Sequence, residues 1–273
     1  MSTKVATLIG SDKGGVGKSF ISSLLVLANS SGENQMRVAE IDHEARLGQM
    51  FPGRVNLSLK PSGSVSALMN NSRARAERHY NDLYEEVWSQ DHSLTDLGAN
   101  VTTTLFDWIA ACDIVRLAAD DGIYFQFVTI ATPDPQSILS ATNALKLAVK
   151  TFGLRARYFV ILNDISGEGF ENYQSNPAFQ TILKMQDSIG LNCLEIPYCD
   201  SQIFAQGKAL NLSPVTVMER ASEIAQSMGL RRVAAETEKR RLQSWLFAVQ
   251  QSIYPLITSV RDVVESQTLQ AAE

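Results

Sequence analysis

Residues 10–20 read GSDKGGVGKSF, and the fold turns on what this stretch is. A glycine-rich turn ending in Lys-Ser, set between an apolar run and a helix-forming run, suits phosphate. Its small residues let backbone N–H groups close around the anion, and the helix N-terminus adds positive potential. In that reading Gly14, Gly15, Val16 and Gly17 form the cradle. Lys18 reaches the β- and γ-phosphates, and the Ser19 hydroxyl ligates Mg²⁺. The common pattern G-x-x-x-x-G-K-[ST] wants a glycine five places before Gly17, where this chain has Asp12. A second lysine, Lys13, stands at the mouth of the loop instead.

The flanks support the loop. VATLIG (5–10) is short, apolar and closed by glycine, as a buried strand is, and KSFISSLLVLANSS (18–31) is the helix after it. MRVAEID (36–42), HSLTDLGAN (92–100), IYFQFVTIATPD (123–134), ARYFVILND (156–164) and LNCLEIPYCD (191–200) contain or end further strands. Between them lie helical stretches. Residues 58–95 read as mostly polar and helical, with SRARAERHYNDLYEEVW (72–88) the clearest piece. TTLFDWIAACDIVRLAADD (103–121) reads as one amphipathic helix, and PQSILSATNALKLAVKTFG (135–153) as a helix closed by Gly153. Alternating strands and helices, with apolar strand interiors, predict an α/β fold: a mostly parallel sheet with helices on both faces. From Pro214 onward the pattern is helical. The whole, 1–273, reads as a single domain with 214–273 a helical C-terminal part packed on it.

Composition narrows the function classes. The chain has 273 residues, 45% of them hydrophobic, enough for a substantial core. Its net charge of -5 gives no global basic field, so any nucleic-acid contact needs a local patch. Three cysteines, Cys112, Cys193 and Cys199, form no C-x-x-C pair, which argues for a reducing compartment. No apolar run reaches the ~20 residues of a membrane span, and the first residues lack a signal peptide's apolar region. The expected location is the cytoplasm. His43, His79 and His92 show no metal-ligand spacing.

KGGVGKS (13–19) resembles the deviant Walker A motif of the ParA/MinD family of P-loop ATPases, in which the extra lysine is the signature. The resemblance extends over about residues 3–212. It implies an ATPase that hydrolyses ATP with Mg²⁺ and closes into a nucleotide-sandwich homodimer. In that dimer Lys13 touches the phosphates held by the other subunit, so hydrolysis and dimerisation become coupled. EIDHEARLGQ (40–49) is similar to the family segment that usually carries D-x-D. Asp42 is thereby placed near the Mg²⁺ shell, and Glu44 positions the attacking water. TDLGAN (95–100) resembles the Walker B segment, making Asp96 a metal-side carboxylate, with Gly98 in place of the usual proline. The alternative alignment, VTIATPD, would put Ala131 where an aspartate belongs and is rejected. FVILND (159–164) and EIPYCDSQIFAQGKAL (195–210) resemble the base-side elements, so Asn163 would bond adenine, and Pro197 and the residues after it would line its pocket. The absence of N-K-x-D favours ATP over GTP.

Within the family, Phe20 directly after the loop serine resembles the ParA-like proteins of conjugative plasmids and joins the nucleotide-contacting set. The acidic, polar end VRDVVESQTLQAAE makes membrane targeting unlikely. Arg231, Arg232, Lys239, Arg240 and Arg241 are candidate contacts for nonspecific DNA, or an ordinary charged helix face; Arg73, Arg75 and Arg78 form a second such group. The expected function is a partition or positioning switch, with a stimulatory protein partner. The alternative is an ATP-binding regulatory or scaffold protein that barely hydrolyses ATP, as in conjugative transfer.

Overall fold

The computed structural model describes residues 4–29, 36–61 and 79–270, with side chains as far as Ile257. Seven strands form one sheet: β1 (Lys4–Ile9), β2 (Arg37–Ile41), β3 (Leu57–Leu59), β4 (His92–Leu97), β5 (Ile123–Ala131), β6 (Ala156–Asn163) and β7 (Asn192–Ile196). Their order is β3-β2-β4-β1-β5-β6-β7, and every pairing is parallel. The sheet is the α/β architecture expected from the alternating pattern.

Side-chain alternation along β5 shows how both faces are covered. Phe125 and Phe127 point into an aromatic core with Trp88, Trp108, Phe106 and Phe152. Val128 and Ile130 belong to the opposite core with Ile21, Leu25, Leu242 and Val249. The aromatic face packs under α3 (Leu83–Trp88, a π-type turn), α4 (Thr102–Ala111), α5 (Ile114–Asp120), α6 (Pro135–Phe152) and α7 (Pro177–Ile189). The other face is covered by α1 (Lys18–Ala28) and the C-terminal helices. These are α8 (Gln202–Ala209), α9 (Pro214–Glu219), α10 (Ala221–Ser227) and α11 (Arg232–Gln270). A short α2 (Arg46–Met50) follows β2. Pro214 takes the first position of α9 behind the Ser213 cap.

Two elements differ from the sequence reading. The stretch 103–121 is not one helix: Asp113 adopts φ 52°, ψ 38° and divides α4 from α5. Aspartate tolerates that left-handed geometry, so no glycine or proline marks the break. The stretch 58–95 opens on β3, which pairs Ala39 with Leu57 and Ile41 with Leu59. Three residues are too few to show a period. Residues 72–78 of the polar stretch, with Arg73, Arg75 and Arg78, lie outside the described residues.

The polar composition of β4 is resolved by its burial. Thr95 is fully buried, and its Oγ1 accepts a 2.9 Å hydrogen bond from the Trp88 indole. Between β1 and its partners the chain order reverses, since β4 lies on one side and β5 on the other. Crevices at the carboxyl ends of strands at such a point are where open α/β sheets place ligands.

Candidate functional site

The loop after β1 opens at that edge. Gly15 has φ 76° and Gly17 φ 103°, backbone states that a side chain disfavours. A Cβ on Gly17 would also lie 2.6 Å from the Asn163 amide nitrogen. That amide, at the end of β6, donates to Val16 O at 3.0 Å, so it braces the loop from behind. Val16 itself is buried beneath the turn.

Lys18 starts α1 and is buried; its Nζ donates to Lys13 O at 2.8 Å across the loop. Burial lowers its pKa, while the Asp96, Asp42 and Asp12 carboxylates pull it back up. The lysine is thus folded over the loop beside three carboxylates, where a phosphate oxygen is a natural exchange for the carbonyl.

Asp96 lies at the carboxyl end of β4, in register with Ile9 of β1 and with Glu40 of β2. It is buried, and burial pushes its pKa up to about 6, against the lowering effect of the Ser19 and Ser22 hydroxyls. Among the described residues its Oδ1 has no hydrogen-bond partner. A carboxylate oxygen without a donor, beside the loop serine, is a set that a hard, oxygen-seeking cation satisfies. The residues therefore fit Mg²⁺, with Ser19 and Asp96 on its near side and Asp42 close by. Ala131, at the end of β5, offers no such group. Gly98 brings the Asp42 segment close: a Cβ there would sit 2.8 Å from Asp42 Oδ1 and 2.9 Å from Ile41 O.

One cavity of about 410 Å³ joins these parts. Gly14, Gly15, Gly17 to Phe20, Asp42, Glu44, Asn163 and Pro197 all line it. Lys13 is not among the residues lining it; its ammonium pairs with the Asp134 carboxylate at the start of α6. Glu44 is exposed and its carboxylate accepts from Arg46 Nε at 2.5 Å. The far wall includes Phe204 and Lys208, which follow Pro197, and one residue that the sequence reading missed, Trp245. Trp245 of α11 stacks on Phe20 with ring centroids 5.6 Å apart, and Phe204 of α8 packs on both. Trp245 Nε1 donates to Pro197 O at 2.7 Å, and Lys208 lies 6.0 Å from the Phe204 ring. The signal for Trp245 was Phe20 itself, a large apolar side chain where the pocket begins.

The candidate DNA contacts lie elsewhere, at the start of α11. Lys239 pairs with Glu236 at 3.2 Å, and Arg241 with Glu238 at 3.0 Å and Asp200 at 3.6 Å. Arg231, Arg232 and Arg240 are exposed and make no ion pair among the described residues. No helix among the described residues is long and apolar enough to cross a membrane.

No protein-family model and no curated protein matches the chain. Among solved structures it is similar to MinD in the MinC:MinD cell division complex of Aquifex aeolicus. The identity is 14%, covering 89% of this chain and 96% of that one, with a TM-score of 0.48. It is also similar to the ATP complex of a McdA variant from Cyanothece, at 12% identity, covering 91% and 97%, with a TM-score of 0.46.

Proposed function

We propose that this chain is a Mg²⁺-dependent ATPase of the ParA/MinD type, working as a dimerisation switch that positions or partitions a cargo. The observation that carries the reading is the junction of β1, α1 and β4. There a buried lysine is folded over a glycine loop, beside a serine and a buried aspartate with an unsatisfied oxygen. Lys18 and the loop amides bind the phosphates, and Asn163 holds the loop in shape. Mg²⁺, when bound by Ser19 and Asp96, supplies charge neutralisation at the phosphate oxygens. Glu44, at the edge of the cavity, accepts a hydrogen bond from the attacking water and aligns it. Base-side contacts come from Pro197 and the wall that Trp245 holds in place.

The mouth of the cavity favours a second copy as the partner that closes it. Ile165, Tyr198 and Leu210 are large, apolar and about half exposed around it. Lys13, once it leaves Asp134, is the cation proposed to reach the nucleotide of a facing subunit. Nonspecific DNA is proposed to meet the dimer through Arg231, Arg232 and Arg240, unpaired among the described residues, and a stimulatory protein partner to set the rate.

The alternative, ATP binding with little hydrolysis, draws on one observation: Arg46 already holds the Glu44 carboxylate. Purified protein with ATP and Mg²⁺ tests both. Turnover together with an ATP-dependent dimer supports the switch. Tight ATP binding without turnover, with or without DNA, supports the alternative. No ATP binding ends both.

A further inference from the structure

Glu40 is a carboxylate where an apolar residue belongs. It sits on β2 between Ala39 and Ile41 and has no exposed surface. Burial raises its pKa, and two backbone N–H groups act against that shift. Both of its oxygens are used. Oε1 accepts from Leu47 N at 2.6 Å and Oε2 from Gly48 N at 3.1 Å. A buried carboxylate costs stability unless fully bonded, and a well-packed leucine would be the more stabilising choice for a central strand. The strand does not need Glu40; the segment after it does.

Between Glu40 and the amides it grips lie Asp42, His43, Glu44, Ala45 and Arg46. The chain reverses at Ala45, which has φ 48° and ψ 48°, a left-handed state unfavourable for a residue with a Cβ. It then enters α2, whose five residues are too few to hold a helix by their own bonds. The front of the segment is fixed by Gly98 N, which donates to Ile41 O at 2.8 Å. The rear is fixed by Glu40. Among the described residues Gln49 adds an exposed brace, its Nε2 donating to Glu44 O at 2.7 Å.

We propose that Glu40 is a positioning residue for catalysis: its carboxylate clamps the first turn of α2 and so holds Asp42 and Glu44 against the γ-phosphate. The inference rests on the ATPase reading, and the test separates the two. Glu40→Leu suits the strand and removes both acceptors. Glu40→Gln keeps the shape and one acceptor, and serves where the leucine variant folds poorly. Amide exchange at Leu47 and Gly48 should quicken by at least about tenfold in Glu40→Leu, with β1 unchanged. Single-turnover ATP hydrolysis should slow by at least about tenfold, and less in Glu40→Gln, while ATP affinity stays within about threefold. In a Glu44→Ala background the same change should add less slowing, because part of its effect acts through Glu44. Wild-type turnover in Glu40→Leu, or equal slowing in both backgrounds, overturns the positioning role. If the wild type itself hydrolyses no ATP, the ATPase reading and the catalytic role fall together. The exchange arm then still decides the clamp: unchanged Leu47 and Gly48 exchange overturns it.

Discussion

The ammonium of Lys13 rests on the carboxylate of Asp134, so the lysine at the mouth of the loop is engaged within its own chain. Lys13 holds the Asp134 carboxyl below its ordinary pKa. A depressed carboxylate pKa means the pair contributes above the usual carboxylate range and is lost as pH falls through the folded value. At neutral pH the pair is therefore intact. Both side chains are more than one-third exposed, so its strength is that of a surface pair. A lysine that must reach a second subunit has to leave Asp134 first.

That competition gives a directional prediction. Asp134 also caps α6, accepting from Ser137 N at 2.9 Å, so the substitution must keep the cap. Asp134→Asn does, and frees two lysines per dimer. At ~0.5–1 kcal/mol per pair, the ATP-dependent dimer should tighten by about five- to thirtyfold. Lys13→Ala should act oppositely, binding ATP through Lys18 yet staying monomeric. Light scattering with ATP and with ADP reads both variants. A normal ATP dimer in Lys13→Ala would show that the lysine makes no contact across the interface.

Lys18→Ala should abolish ATP binding while leaving the fold intact. The lysine is the buried cation among Asp12, Asp42 and Asp96, and the triphosphate would otherwise face three carboxylates alone. Equilibrium binding of labelled ATP measures the loss, and circular dichroism checks the fold. Unchanged affinity would sink the phosphate-loop reading altogether.

For DNA, α11 divides the basic residues into paired and unpaired. Phosphate contacts dominate nonspecific binding, and each neutralised phosphate adds about 0.9 to the salt slope. Cations already matched to acids of their own chain contribute less. Reversing Arg232 and Arg240 to glutamate should thus weaken ATP-dependent DNA binding and lower the salt slope by about two. Replacing Lys239 and Arg241 by alanine should have the smaller effect, since both are tied to Glu236, Glu238 or Asp200. A titration of a random duplex at several salt concentrations compares them. Absence of binding by wild type with ATP would remove DNA from the list of partners.

What the sequence disclosed about the fold follows from how local each signal was. Strand β1, the glycine turn and α1 are adjacent in the chain, and each has its own period or punctuation. That Asp96 ends a strand just ahead of a helix was legible in the sequence. The sheet order then puts β4 directly against β1. The missing features are contacts without local pattern. Lys13 and Asp134 are 121 positions apart. Glu40 read as one polar residue in an otherwise apolar strand, because its partners are backbone amides that no sequence motif marks. The break at Asp113 needed a conformation that aspartate reaches without glycine.

Trp245 tests whether the nucleotide site and α11 are mechanically joined. Its ring stacks on Phe20, next to the loop serine, and its N–H holds Pro197 O at the end of the base-side strand. It is almost fully buried, in the core that also contains Leu242 and Val249. A nucleotide entering the cavity meets one wall built by a helix otherwise remote from the phosphates. Trp245→Phe keeps most of the aromatic contact and loses the hydrogen bond, leaving Pro197 O unsatisfied. A lost bond of this kind costs about 1–3 kcal/mol, so the protein should be less stable by that order. ATP affinity should fall by about five- to tenfold, with Lys18 and the loop unaltered, if only about 1 kcal/mol of the loss acts on the bound state. Trp88 and Trp108 are fully buried on the opposite face, so an ATP-dependent change in tryptophan emission should come from Trp245 and vanish in the phenylalanine variant. Emission that still responds to ATP in Trp245→Phe, or an affinity equal to wild type, would mean that α11 does not sense the nucleotide through this residue.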